Sequence, residues 1–150
     1  MIAIQNITTM QAARIHTWGT LQNIAVEAIP IPEPKSGEVL IKVRAAGINP
    51  IDVAVARGAA QHIFSLPFTL GFDVAGEVVA VGADVPDFHV GDAVYSGRSV
   101  GSFAGYVIAP AAMVVMKPTT LDYVHAAAIP IVGHFVWQAL FTVGQLAAGG

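Results

Sequence analysis

The chain has no cysteine, which excludes disulfide bridges, thiol nucleophiles and cysteine-ligated zinc. A thiol-free chain fits a reducing compartment, and a cytoplasmic location is expected. Charge is scarce too: 11% of residues are charged, against about 25% in an ordinary soluble domain. The seven basic residues are scattered and the net charge is −3. No basic stripe can follow a nucleic-acid backbone, so no nucleic-acid partner is expected. His16, His62, His89, His125 and His134 form no i, i+4 pair, and His-Glu-x-x-His is missing, so no metal site is expected. Gly-x-Ser-x-Gly, the mark of a hydrolase nucleophile, is missing as well. No Gly-x-Gly-x-x-Gly follows a predicted strand, and the stretch 144–150 lacks the Lys and Ser/Thr of a phosphate loop. The chain carries no nucleotide fingerprint of its own.

An unbroken hydrophobic run is also lacking. Residues 123–150 contain no Asp, Glu, Lys or Arg, but Pro130, Gly133, His134, Gln138 and Gly144 interrupt them. A membrane span needs about 20 largely apolar residues, so a span is not expected here. Residues 1–10 lack the basic start and apolar core of a secretory leader and read as an N-terminal extension.

What the chain has in excess is apolar residues, at 55% of 150. That exceeds the need of a single domain of this length, so either a face is covered by something further or part of the surface meets lipid. The apolar positions alternate in short runs separated by Gly and Pro, which predicts strands at 11–17, 24–29, 38–44, 74–81, 93–95, 105–108 and 113–116. After Lys117-Pro118 the character changes. Asp122 caps a predicted helix over 123–129, Pro130 breaks it, and a second helix is predicted over 131–143 with Gly144 as its stop.

The stretch Ala45-Ala46-Gly47-Ile48-Asn49-Pro50-Ile51-Asp52 is the pivot of this plan. Asn49 is a good N-cap, Pro50 suits the first helical position, Asp52 lies three residues past the cap, and Gly58 supplies a left-handed stop. Two readings stay open on local grounds. It is a well-capped connecting helix, or a polar cap that holds a ligand at the mouth of a β structure.

From Gly37 the run Glu38-Val39-Leu40-Ile41-Lys42-Val43-Arg44-Ala45-Ala46-Gly47-Ile48-Asn49-Pro50-Ile51-Asp52 resembles the signature of the medium-chain dehydrogenases/reductases. Leu70-Gly71-Phe72-Asp73-Val74-Ala75-Gly76-Glu77-Val78, Val90-Gly91-Asp92-Ala93-Val94-Tyr95, Ala126-Ala127-Ala128-Ile129-Pro130 and Trp137-Gln138-Ala139-Leu140 follow in that family's order. The likeness is to the zinc-independent quinone oxidoreductase, or zeta-crystallin-like, branch. It implies a mainly β fold with α: a GroES-like irregular β-barrel over 11–128, with 129–150 as an interdomain helix leading to a Rossmann domain. Zinc alcohol dehydrogenases have Cys-His where this chain has Asn49-Pro50, and Gly-His-Glu where it has Gly71-Phe72-Asp73.

The resemblance therefore implies metal-free hydride delivery from NADPH or NADH to a quinone or α,β-unsaturated carbonyl. By the same resemblance Asn49 and Asp52 are the catalytic candidates, although Asp52 also suits a purely capping role. Pro50 and Phe72 would line the substrate pocket, and His134 and Phe135 would meet the cofactor. In the family a Thr usually lies near the nicotinamide; here Gly133-His134-Phe135-Val136-Trp137 puts a ring there, either stacking on the nicotinamide or blocking it. The apolar C-terminal helices would be covered by the Rossmann domain or in a homo-oligomer. The alternative is a stand-alone GroES-like binding module without catalysis, partnered through those helices.

Overall fold

The computed structural model describes residues 8–147. Much of the expected N-terminal extension, and the last three residues, lie outside that range. The strands form two antiparallel sheets. β1 (Thr9–Ile15) pairs along its length with β2 (Ile24–Pro30), and its other edge takes the two-residue β4 (Phe68–Thr69). The larger sheet has the order β7-β3-β5-β6-β8, with β3 (Glu38–Gly47), β5 (Asp73–Val81), β6 (Ala93–Ser96), β7 (Tyr106–Pro110) and β8 (Val115–Met116). The Ala12–Ala104 bridge and the Ala13 N–H donated to Phe103 O join the two sheets. Among the described residues the strands form no continuous closed ring.

β3 holds the large sheet together. Val39, Leu40 and Ile41 are consecutive and all buried, so both faces of the strand are covered there. Val39 and Ile41 pack with Val74, Val78, Val94 and Val107. Each such side chain contributes about 1.5–3 kcal/mol when fully buried. A second cluster lies under the smaller sheet, where Ile15, Val55, Ala56, Phe68 and Leu70 meet Trp18, Phe64 and Phe72. Phe64 bridges the rings of Phe68 and Phe72, with centroids 4.6 and 6.1 Å away.

The helices are short. α1 spans Pro50–Ala56, and Gly58 follows its C-cap with φ +98°, the left-handed conformation that ends helices cheaply only at glycine. α2 spans Tyr123–Ala127, capped by Asp122, whose Oδ1 accepts the His125 N–H at 2.8 Å. α2 packs alanine against alanine on the sheet, through Ala75, Ala126 and Ala127. α3 spans Pro130–Trp137 and runs into a π-helical turn over Gln138–Val143.

Several boundaries differ from the sequence reading. Helix was expected through residue 129 with Pro130 as a break; instead α2 ends at Ala127 and Pro130 opens α3. The reason is that proline's missing N–H falls among the groups left unpaired at any helix start. The expected second helix leaves regular α geometry after Trp137. Gly144 caps the turn with φ −75°, while Gln145 takes the left-handed conformation. Residues Ala111–Met113 form a 3-10 turn, so the last strand begins only at Val115. β4 was not expected, and β1 begins at Thr9, inside the stretch read as extension.

The loop after β6 carries an energetic oddity. Ser99 is fully buried, and its N–H is donated to Phe72 O at 3.1 Å, yet its hydroxyl has no partner among the described residues. An unpaired buried hydroxyl costs about 1–3 kcal/mol. Ser99→Ala is therefore expected to raise stability by about 1 kcal/mol. Urea denaturation checks this, and a loss of stability would contradict it.

Candidate functional site

Asn49 and Asp52 come from the same turn. The chain leaves β3 at Gly47, Asn49 takes an extended conformation as N-cap, and Pro50 starts α1. Asp52 reaches back, its Oδ2 accepting the Asn49 N–H at 2.7 Å in a capping box. The Asn49 amide also looks outward from the helix. Its Nδ2 donates to Asp73 Oδ2 at 2.8 Å, and all three side chains are buried. Asp73 is the first residue of β5, and its second oxygen accepts the Ile131 N–H at 3.2 Å, at the start of α3.

Two glycines make this approach possible. A Cβ on Gly47 would lie 2.5 Å from Ala127 O and 3.0 Å from Asp73 Cβ. A Cβ on Gly97 would lie 2.8 Å from Pro130 Cβ and 3.1 Å from Asp73 Oδ1. The carboxylate is thus held between a strand end, a loop and the junction of two helices.

Burial pushes the carboxyls of both Asp52 and Asp73 above the ordinary range. For Asp52 the backbone N–H groups of Asn49, Gly71 and its own residue pull the other way, and for Asp73 the Asn49 amide and Ile131 N–H do so. The negative charge of Asp52 adds to the rise at Asp73. A carboxyl raised in the fold stabilises most below its unfolded value of about 3.9, and that stability is lost as pH rises through the folded value. Glu27 and Glu77 have the opposite sign. They are lowered by hydrogen bonds, first from His16 and first from Arg44, and their stabilisation is lost on acidification.

Asp52→Asn keeps the shape and an acceptor oxygen while removing the charge. Its stability relative to the parent should therefore increase between about pH 3 and about pH 6. Denaturant midpoints at both pH values check this, and parallel curves would contradict it.

The remaining candidates are spread out. Phe72 is half-buried beside the Phe64 ring, whereas Pro50, His134 and Phe135 are exposed. The structure brings Asn49 and Asp52 together. It leaves His134 and Phe135 on the open face of α3, with ring centroids 6.5 Å apart. A hollow of about 280 Å³ lined by Met10, Ile29, Pro30, Thr69 and Tyr106 touches none of the six. Sequence reasoning passed over Asp73 as a site residue. The available signal was its place in Gly71-Phe72-Asp73, where zinc-dependent relatives carry ligands.

Among the described residues no three His, Cys, Asp or Glu side chains gather in a way that could hold a metal ion. Nor is any described helix long and apolar enough to cross a membrane.

Residues 35–119 match the alcohol dehydrogenase GroES-like domain family. The chain belongs to that family. The quinone oxidoreductase of Sus scrofa is 40% identical over 124 residues, which cover 81% of this chain and 38% of that protein. Among solved structures, human synaptic vesicle membrane protein VAT-1 homolog-like protein superposes with a TM-score of 0.89 at 30% identity, covering 94% of this chain and 46% of that one. Mycobacterial Rv1454c, solved with NADPH, gives a TM-score of 0.85 at 32% identity, covering 93% of this chain and 42% of that one. The GroES-like chain thus spans less than half the length of each of these relatives. The likeness runs past the GroES-like match, because coverage of 93–94% takes in parts of the helical end as well as the β-sheets.

Proposed function

We propose that this chain is the substrate-side part of an NAD(P)H-dependent oxidoreductase that reduces a quinone or an α,β-unsaturated carbonyl without a metal. The observation that carries the reading is the superposition of 93% of the chain on a protein solved with NADPH. The donor chemistry supports the metal-free part. At the positions where zinc alcohol dehydrogenases hold ligands, Asn49 and Asp73 bond to each other, and the other Asp73 oxygen takes the Ile131 N–H.

The cofactor would bring the transferable hydride. This chain's residues would position and shield. The exposed α3 face that carries His134 and Phe135 fits one wall of a nicotinamide site, being apolar and unpartnered among the described residues. The Asn49 amide, oriented by Asp73, would fix the substrate side. Positioning of this kind supplies much of an enzyme's rate when the protein itself forms no bond to the substrate. NADPH or NADH as hydride donor, a small-molecule quinone or enone as substrate, and a cytoplasmic location belong to the same proposal.

The phosphate-binding part of the cofactor site has no counterpart in this sequence, so tight dinucleotide binding by these residues alone is not expected. The intact mass of the gene product in its native source tests the reading. A mass near twice the 15.6 kDa of this chain supports it. A product of 150 residues that binds no dinucleotide would replace it with a binding module.

A further inference from the structure

α3 has no buried residue, so side-chain packing does little to fix where it points. Its own N-cap residue is Ile129, which offers no hydrogen-bonding side chain. The carboxylate that serves the start of this helix comes from β5 instead: Asp73 Oδ1 accepts from Ile131. The other oxygen of that carboxylate holds the Asn49 amide, at the start of α1. Asp73 is 1% exposed, and both its oxygens are occupied. Gly47 and Gly97 leave the space in which α2, α3 and the strand end close around it.

We propose that Asp73 is a positioning residue that couples the start of α1 to the start of α3, so that loosening one loosens the other. The catalytic consequence rests on the oxidoreductase reading. Asn49 then stands on the substrate side and Phe135 on the cofactor side, and one buried carboxylate sets the relation between them. The coupling itself is a property of the fold and needs neither ligand. Shared acceptors of this kind transmit because a buried carboxylate oxygen that loses its donor pays the full cost of desolvation, and the carboxylate that shifts to regain a partner moves away from its other donor.

Amide hydrogen exchange on the chain, with no dinucleotide or substrate present, reads the coupling. Asn49→Ser is the informative variant. Serine caps a helix about as well as asparagine, so α1 is retained, but serine has no amide to reach Asp73. The Ile131 amide should exchange roughly 10-fold faster in Asn49→Ser, although the substitution touches no part of α3. The amides of β1 and β2 should keep their rates. Asp73→Asn removes one acceptor oxygen and should speed Ile131 exchange at least as much. Thr20→Ala removes the cap of the 3-10 turn Leu21–Asn23, far along the chain, and should leave Ile131 unchanged.

Unaltered Ile131 exchange in Asn49→Ser would overturn the coupling, even if Asp73→Asn failed to fold. An equal acceleration at every amide would overturn it as well, because that pattern is general loss of stability. Since no cofactor enters the experiment, a failed coupling leaves the oxidoreductase reading intact, and an inactive enzyme leaves the coupling intact.

Discussion

Asp73→Ala is expected to lower the stability of the chain by about 3 kcal/mol, a large share of what a domain of this size possesses. The substitution deletes both acceptors at once. The Asn49 amide and the Ile131 N–H each lose a carboxylate partner, at 2.8 and 3.2 Å. Hydrogen bonds to a charged group are worth roughly 1.5–3 kcal/mol apiece, and the Asn49 amide is abandoned where little water reaches it, while the Ile131 N–H is half-buried. One effect runs the other way. Burial already holds the Asp73 carboxyl above its ordinary value, so removing it relieves a desolvation cost. The net loss is therefore smaller than two full bonds. Asp73→Asn should cost less, about 1–2 kcal/mol, since one acceptor oxygen survives while its amide meets a second donor. Urea denaturation with two-state fitting measures both. A stability for Asp73→Ala equal to the parent would mean that neither bond matters in solution.

Gly47→Ala carries the second large effect, of about 2–4 kcal/mol. The new methyl would stand 2.5 Å from the carbonyl oxygen of Ala127 and 3.0 Å from Asp73 Cβ. The first of these neighbours is backbone at the end of α2, and α2 rests on Ala75 through Ala126 and Ala127, with no flexible side chain to swing aside. Either α2 lifts from the sheet or β3 bends away from β5. Both movements also disturb the Asp73 carboxylate, so the loss should not add simply to that of Asp73→Ala. A double-mutant cycle between the two substitutions should show a coupling on the order of 1 kcal/mol. Additive losses would show that Gly47 and Asp73 act separately. At an exposed glycine such as Gly91, where a Cβ would meet nothing, steric cost is absent and only the positive φ of 101° resists substitution.

What could be read from the sequence was local. The alternation over 38–44 gave a strand, which the fold extends to Gly47, Asn49 and Pro50 gave a helix start, and Gly58 gave its stop, because capping and periodicity are set by near neighbours. The order of motifs gave the family, and with it the mainly β fold. What escaped was set across the chain. β4 is two residues long and exists only because Ile15 and Arg14 lie beside it. Pro130 opens α3, and the acceptor that its Ile131 N–H needs comes from Asp73, 58 residues before Ile131. No window of sequence contains both partners. Asn49 and Asp52 were recognisable as a capping pair, whereas the link from Asn49 to Asp73 depends on how β3 and β5 pair, with Gly47 set opposite Asp73.

The exposed apolar side chains of the C-terminal helices, with Phe135 at 64% and Trp137 at 62% exposure, agree with the excess of apolar residues in the composition. In the oxidoreductase reading they are one wall of a cleft. The most direct test of that reading is NADPH consumption by the gene product purified from its native source, with a simple quinone or an enone as acceptor. The account predicts saturable, acceptor-dependent oxidation of the dinucleotide that survives treatment with a strong metal chelator. Failure to oxidise NADPH or NADH with any quinone or enone, by protein that is demonstrably folded, would contradict it.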